Sequence, residues 1–258
     1  MKRLICVLSD KGGIGKTVAS LCIADVLRNR WNVDTSVYDA DGDVGTCVRV
    51  LGTRDEAGML IANQEPKTGC GFFQIRNEDG WSMLLKCVAD GAERILVDTA
   101  GGSSSYFQNV VDFGNGVSGL LDAYECEGYR PTLIHMLSTD IASIQSIASY
   151  YRMFGSRADH VVIQNHLFSL RGSTAERTFT DWYGSNTRQR ILECGGIELE
   201  LPALPKDVLN NVYRLNKSFT PALSDPSISL IDRSLVRSLI KNVEASLSQI
   251  KPFLGVQS

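Results

Sequence analysis

The sequence lacks the features that define several classes of protein. Its 258 residues include seven cysteines without a Cys-x-x-Cys pair and three scattered histidines, so the spacing typical of structural zinc is missing. An odd number of unpaired cysteines indicates reduced, mostly buried thiols and a cytoplasmic protein. No apolar run approaches the length of a membrane span or a signal peptide, and we expect a soluble protein without a membrane anchor.

A strong excess of charge is also lacking. The formal net charge is −3 and the sequence pI is about 5.7, which argues against a generally basic nucleic-acid coat. Contact with DNA or an anionic membrane must therefore come from a local basic patch. The length could hold two domains, but α/β layers often run this long as one, and we predict a single domain over residues 1–258.

Short apolar runs alternate with helical patterns along the chain. Runs of strand length occupy residues 4–8, 33–38, 94–97, 132–137, 160–163 and 197–201, and helical periodicity occurs near 15–30, 80–90, 104–112, 140–154, 174–192 and 228–250. This alternation predicts an α/β fold: one doubly wound, mostly parallel sheet with helices on both faces. Two glycine- and proline-containing stretches, 52–80 and 112–131, are predicted to be irregular insertions that face partners.

The clearest motif joins the first strand to the first helix. Residues 9–17 read Ser-Asp-Lys-Gly-Gly-Ile-Gly-Lys-Thr. The glycines permit close backbone approach and positive φ, so successive N–H groups can converge on a phosphate at the positive end of the helix. Lys16 adds a positive charge and Thr17 adds a hydroxyl for Mg²⁺. The predicted nucleotide contacts are Lys11, Gly12, Gly13, Ile14, Gly15, Lys16, Thr17 and Val18.

Two further motifs place acids at the carboxyl ends of predicted strands, where ligands collect in open α/β sheets. The first is Asp39-Ala40-Asp41-Gly42-Asp43, which follows the second strand. The second is Asp98-Thr99-Ala100-Gly101-Gly102, which follows three apolar residues. An apolar strand that ends in an acid is what a carboxylate needs to reach Mg²⁺ through water, so Asp98 is a candidate Walker B residue.

These motifs, in this order, resemble those of the ParA/MinD family of deviant Walker A P-loop ATPases. The usual P-loop pattern has glycine where this chain has Asp10, and Lys11 corresponds to the second, signature lysine of the family. The resemblance implies that Lys16 holds the β- and γ-phosphates and that Lys11 crosses a dimer interface to the partner's nucleotide. It also implies a metal site at Thr17, Asp39 and Asp98, with Asp41 orienting the attacking water and the Gly101 N–H meeting the γ-phosphate.

The sequence gives a weaker indication of which base the bound nucleotide carries. The sequence has no Asn-Lys-x-Asp guanine signature, which favours adenine. By family position, Asn165 and the later loop residues Pro205 and Asp207 resemble the segments that hold adenine.

The resemblance implies an ATP-dependent switch that dimerises with ATP, hydrolyses ATP–Mg²⁺ slowly with a stimulating partner protein, and segregates or positions DNA or a large assembly. The chain departs from partition proteins where they continue Asp-x-Asp-Pro-Gln, because here Gly42 and Asp43 follow Asp41. Two alternatives stay open: a MinD-like membrane-associated ATPase, although residues 246–258 carry a single lysine, and a metabolic ATP-dependent ligase or synthetase. A reductase resembling the nitrogenase iron protein is disfavoured, because Cys126 is the first cysteine after Asp98.

The last helical pattern carries a candidate DNA-binding stripe. Apolar residues recur at three- and four-residue spacing and are predicted to face the core: Leu235, Val236, Leu239, Ile240, Val243, Leu247 and Ile250. Arg233, Arg237 and Lys241 then share one outer stripe, where like charges four residues apart repel mildly. A polyanion such as DNA would explain this stripe, and a solvated helix face is the alternative.

Overall fold

The computed structural model describes residues 1–42, 45–77, 80–89, 91–108, 116–169 and 172–257. The strands are β1 (Lys2–Leu8), β2 (Ser36–Asp39), β3 (Gly71–Phe72), β4 (Arg94–Asp98), β5 (Tyr129–Leu137), β6 (Asp159–Asn165) and β7 (Ile197–Leu201). All seven form one parallel sheet in the order β3-β2-β4-β1-β5-β6-β7. The predicted α/β class with a parallel sheet is confirmed.

Helices of very different lengths connect the strands. They are α1 (Lys16–Asp25), α2 (Thr46–Leu51), α3 (Gly80–Ala89), α4 (Ser103–Gln108), α5 (Gly116–Cys126), α6 (Ile141–Phe154), α7 (Ala175–Thr178), α8 (Thr180–Tyr183), α9 (Asn186–Glu193), α10 (Lys206–Tyr213), α11 (Phe219–Ala222) and α12 (Leu230–Ser248). A π-helical turn, Val26–Arg30, extends α1, and 3₁₀ turns occupy Gly155–Arg157, His166–Phe168 and Lys251–Leu254. Within the described residues, no helix is long and apolar enough to cross a membrane.

Strand β1 is central to the core because β4 and β5 flank it and helices cover both its faces. Ile5 and Val7 belong to one apolar cluster, with residues of α1 and α12, whereas Leu4, Cys6 and Leu8 belong to a second, with residues of α3 and α5. Alternate side chains of a strand point to opposite faces of the sheet, which explains why one continuous apolar run contributes residues to two clusters. Helices on both faces were predicted, and this is confirmed.

Several predicted boundaries were wrong. The run 33–38 begins to pair only at Ser36, because the carbonyl of Thr35 accepts hydrogen bonds from the Arg28 guanidinium, with its Nε at 3.0 Å and Nη2 at 2.8 Å. The pattern 174–192 is three short helices, because the backbone at Phe179 leaves helical geometry (ψ 42°) and Ser185 caps a new start.

The two stretches predicted to be irregular differ in outcome. The stretch 112–131 contains α5 and the start of β5, so the expectation of an irregular insertion was wrong there, and residues 112–115 lie outside the described residues. Of the described part of 52–80, only β3 and the first residue of α3 lie in named elements. The short helices α2, α10 and α11 were not predicted.

Helix α12 largely follows its predicted pattern. Ser229 caps its first turn by accepting a hydrogen bond from the Asp232 N–H at 3.1 Å. Six of the seven predicted core residues are buried, but Leu235 is 39% exposed. Leu235 lies about 100° around the helix from Val236, which places it beyond the edge of the buried stripe that Leu239 borders on that side.

Candidate functional site

The loop between β1 and α1 has the backbone that its glycines predict. Gly13 and Gly15 have φ of 73° and 92°, and Gly15 is the N-cap of α1. A Cβ on Gly15 would lie 2.4 Å from the Asn165 Nδ2, so a side chain there would be both strained and obstructed. The free N–H groups of a helix start therefore border a closely packed glycine loop, as phosphate binding requires.

Asn165 supports this loop from the end of β6. Its buried amide Nδ2 donates to the carbonyl of Ile14 at 2.8 Å, and its Oδ1 accepts from the Leu167 N–H at 3.0 Å. Asn165 therefore lies at the loop, as its predicted place in the site requires. Its contact with adenine stays a prediction.

Lys16 is a buried cation at the start of α1. Its side chain is mostly buried, and its Nζ donates a hydrogen bond to the carbonyl of Lys11 at 3.2 Å. The ammonium group therefore points back toward the loop that precedes α1. Burial lowers the pKa of Lys16, and the nearby carboxylate of Asp98 partly opposes that effect. Next in sequence, the Thr17 side chain lies near the Asp98 carboxylate and favours its charged form.

Asp98 and Asp39 form a buried acidic pair at the ends of neighbouring strands. Ser20 donates its hydroxyl to Asp98 Oδ1 at 2.8 Å, and the N–H groups of Asp41 and Val48 each lie 3.0 Å from an Asp39 carboxylate oxygen. Burial, followed by the charge of Asp39, raises the pKa of Asp98 to about 7. Burial likewise raises the pKa of Asp39.

Cys47 lies beside these acids. Its Sγ and one oxygen from each of Asp39 and Asp98 all lie within 4.8 Å of one another, and all three side chains are buried. Among the described residues neither acid has a salt bridge, and carboxylate oxygens suit Mg²⁺. A divalent cation therefore fits this pair, with Thr17 nearby. Space is tight, because a Cβ on Gly45 would lie 2.1 Å from Asp39 Oδ2.

Asp41 lies at the exposed rim of the site rather than with the buried acids. Its Oδ1 accepts a hydrogen bond from Arg76 Nη1 at 2.6 Å, and Arg76 Nη2 lies 3.3 Å from the carbonyl of Gly101. Gly101 approaches the glycine loop, since the neighbouring Gly102 N–H donates to the Asp10 carbonyl at 3.0 Å. The predicted residues Asp41 and Gly101 are thus joined through Arg76, which was not among the predicted site residues. Asp43 lies outside the described residues.

Asp10, which replaces the usual glycine, has a structural role. Its Oδ1 accepts from the Ser104 N–H at 2.9 Å and from the Tyr150 hydroxyl at 3.2 Å, which ties the loop to α4 and α6. The neighbouring Lys11 forms an ion pair with Asp140, the N-cap residue of α6. Asp140 was also missed, because the two residues are 129 positions apart.

The other predicted residues lie farther along the chain. Pro205 is the N-cap of α10 and Asp207 is in its first turn, so both follow β7 at the carboxyl edge of the sheet, and both are exposed. On α12, Arg237 and Lys241 are exposed, whereas Arg233 is half-buried and its Nε donates to the Ile228 carbonyl at 3.0 Å. The predicted basic stripe therefore has two exposed members and one half-buried member.

Comparison with known proteins gives the fold. No family model and no curated protein matches the sequence. Similar solved structures include a ParA family ATPase from Chlorobium tepidum TLS, at 12% identity over 95% of this chain and 97% of that chain, with a TM-score of 0.54. A Cyanothece McdA variant in complex with ATP is 11% identical over 100% of this chain and 98% of that chain, with a TM-score of 0.50.

The parallel sheet, the glycine loop at a helix start and these likenesses define the fold of a P-loop nucleoside triphosphatase. Within that class, the chain has the fold of the ParA-type ATPases. The resemblance seen in the sequence motifs is therefore matched by the three-dimensional structure.

Proposed function

We propose that this chain is a single-domain ATPase of the ParA/MinD type that binds ATP and Mg²⁺ and uses slow hydrolysis as a switch. The observation that carries the proposal is the position of Lys16 at a helix start, beside two buried carboxylates that have no salt bridge among the described residues. A phosphate beside Lys16 and a divalent cation between the carboxylates would balance the charges of such a site. That a structural neighbour is an ATP complex supports adenine over guanine.

The residues divide into phosphate-binding and metal-binding groups. The glycine loop would donate its N–H groups to phosphate oxygens, and Lys16 would turn from the Lys11 carbonyl toward the β- and γ-phosphates. Thr17, Asp39 and Asp98 would hold Mg²⁺, directly or through water. When bound, Mg²⁺ neutralises charge that develops on the phosphates during transfer.

The rim residues would carry out the hydrolytic step. Asp41 is half-exposed, so its carboxylate is accessible to a water molecule from the solvent. We assign Asp41 the orientation of the attacking water and the Gly101 N–H a contact to the γ-phosphate. Asn165, Pro205 and Asp207 would contact adenine from the same edge of the sheet.

We further propose that ATP produces a homodimer, with Lys11 reaching the nucleotide of the partner subunit, and that hydrolysis separates the subunits. The cargo would be DNA or a large assembly, bound in part through Arg237 and Lys241, with a partner protein stimulating hydrolysis. This cellular role follows from the resemblance to ParA-type proteins. A metabolic ligase with the same fold is the second candidate, and it would turn over steadily without a macromolecular partner.

Sedimentation velocity of the purified protein tests the switch. The protein should sediment as a monomer without nucleotide and as a dimer with ATP and Mg²⁺, and should co-sediment with non-specific DNA only when ATP is present. Anionic vesicles in place of DNA test the MinD-like alternative. If the protein sediments as a monomer under every condition and hydrolyses ATP steadily, the ligase hypothesis is favoured.

A further inference from the structure

Arg76 connects two loops at the rim of the site. Its Nη1 donates to the Asp41 carboxylate at 2.6 Å and its Nη2 to the Gly101 carbonyl at 3.3 Å. A planar guanidinium can hold two acceptors at a fixed separation, which a lysine ammonium cannot do as well. Arg76 therefore bridges the two loops that carry Asp41 and Gly101.

The backbone that carries Arg76 is itself fixed against the Asp41 segment. The Phe73 N–H donates to the Asp39 carbonyl at 2.9 Å, and the Ile75 N–H donates to the Ala40 carbonyl at 3.1 Å. Gln74 and Asp41 form a backbone bridge. Because this pairing continues to within one residue of Arg76, the guanidinium starts from a defined position rather than from a free loop.

The charge of Arg76 also acts within the phosphate-binding region. After burial and the nearby carboxylates, its positive charge contributes to the pKa of Lys16 and lowers it further. Arg76 therefore lies close enough to the predicted phosphate site for its charge to act there. Its side chain is 41% exposed and that of Asp41 is 44% exposed, so the pair is screened by solvent and contributes little to stability.

We propose that Arg76 is a positioning residue for ATP hydrolysis, which holds the Asp41 carboxylate at a fixed place relative to the Gly101 loop. The inference rests on the proposed function, because it assigns Arg76 a role in the same reaction. Without Arg76 the Asp41 side chain would sample several rotamers, and only some would orient a water molecule toward the phosphate. Loss of that alignment reduces kcat while leaving the binding of ATP unchanged.

Arg76→Ala tests this role, with nucleotide affinity and hydrolysis measured separately. We expect a fall in kcat of at least about tenfold, with the Kd for ATP within about threefold of the parent. Arg76→Lys keeps the charge but spans the two acceptors poorly, and should give an intermediate kcat. Arg190→Ala, which removes an exposed arginine from α9, is the matched control and should change neither quantity.

A double-mutant cycle shows whether Arg76 acts through Asp41. If it does, Arg76→Ala should reduce kcat only slightly when Asp41→Ala is already present, because Arg76 then has no Asp41 carboxylate to position. Additive losses in kcat would overturn the inference. So would a raised Kd with unchanged kcat, which indicates direct phosphate binding, or a faster Arg76→Ala variant, which indicates a restraint on hydrolysis.

The parent protein distinguishes this inference from the proposed function. If the parent neither binds nor hydrolyses ATP, the proposed function fails and the role of Arg76 fails with it. If the parent hydrolyses ATP and Arg76→Ala hydrolyses it equally well, only the inference about Arg76 is wrong. Circular dichroism and thermal unfolding of each variant establish that the rates compare folded proteins.

Discussion

Buried charge is concentrated in a few residues at the carboxyl edge of the sheet. Lys16, Asp39 and Asp98 are each less than a tenth exposed. Removing such groups from water costs several kcal/mol each unless partners or ligands compensate. Partial hydrogen bonding, as from Ser20 to Asp98, offsets only part of that cost. An unbalanced set of buried charges is expected of a site that binds ions, since a purely structural core would be more stable without them.

Lys16→Ala should abolish or strongly weaken ATP binding. A charge-assisted contact to a phosphate contributes about 1.5–3 kcal/mol, so the Kd should rise at least about tenfold. The fold should be retained, because the hydrogen bond that the Lys16 Nζ donates goes to the Lys11 carbonyl in the same loop and joins no separate elements. Isothermal titration calorimetry measures the change, and Lys86→Ala, at an exposed position of α3, is the control. Unchanged affinity in the Lys16 variant would refute the assignment of the phosphate loop.

The carboxyl group of Asp98 should make the metal-free protein less stable as the pH rises. Its pKa is raised to about 7 in the folded protein, whereas an unfolded aspartate titrates near about 4. The folded state therefore binds the proton more tightly. The stabilising contribution is complete below about pH 4, and it is lost as the pH rises through about 7.

Denaturant unfolding in the presence of a chelator, at pH 4.5 and pH 7.5, measures this effect. The free energy of unfolding of the parent should fall relative to that of Asp98→Asn as the pH rises, because the amide cannot ionise. The slope should not exceed about 1.4 kcal/mol per pH unit for one group. A constant difference between the two proteins would show that Asp98 does not titrate in this range.

At the scale of elements, the sequence predicted best where local pattern and burial agree. The five apolar residues at 4–8 and the glycine loop after them identified β1, α1 and the phosphate loop, because strand, turn and helix signals lie within about 25 positions. The ends of β2 and β4 were likewise found from their acids. Strand β3, with only two residues, is too short to leave a periodic signal.

The residues that the sequence could not reveal are those whose partners are distant along the chain. Arg76 lies 35 positions from Asp41, and Tyr150 lies 140 positions from Asp10. No local spacing encodes such pairs, because they depend on how the parallel strands place successive loops at one edge. Leu235, which was assigned to the core, is exposed because it lies beyond the edge of the buried stripe of α12, and Arg233, which was assigned to the surface, is half-buried.

Helix α12 should contribute to DNA binding through Arg237 and Lys241. The structure makes these two residues a sharper test than the full stripe, because Arg233 also donates to the Ile228 carbonyl and its loss could disturb the helix start. Replacing both with alanine should leave ATPase activity and dimerisation intact while weakening DNA binding at low salt. Each phosphate contact that is lost should flatten the slope of log K against log salt by roughly 0.9.

Fluorescence anisotropy with a duplex of arbitrary sequence, over a range of salt concentrations, gives this slope. The matched control is the pair Arg177→Ala and Arg190→Ala, which removes the same charge from exposed positions on α7 and α9. If the two double variants lose DNA affinity equally, the loss reflects the change in net charge rather than a contact made by α12. If the parent binds no DNA with ATP present, the basic residues of α12 are only a solvated face.

At the scale of the whole molecule, we expect the Lys11–Asp140 ion pair within one chain to influence the formation of the proposed dimer. In the single chain its ammonium is committed to Asp140, whose carboxylate also caps α6 through the Ala142 N–H at 2.9 Å. The hydrogen bond from Lys11 lowers the pKa of Asp140 below its usual value. Both side chains are more than a third exposed, so solvent can replace the contact at little cost.

If Lys11 must leave Asp140 to reach a partner's nucleotide, the two residues should affect dimerisation in opposite directions. Lys11→Ala should bind ATP with near-normal affinity and remain a monomer. Asp140→Asn keeps an oxygen that can cap α6 but loses the charge, which favours the released lysine, so dimers should form at lower ATP concentration. Size-exclusion chromatography with light scattering, over a series of ATP concentrations, measures both effects.

A normal ATP-dependent dimer of Lys11→Ala would show that the lysine acts only within its own chain. An Asp140→Asn protein that dimerises as the parent does would show that the ion pair does not restrain Lys11.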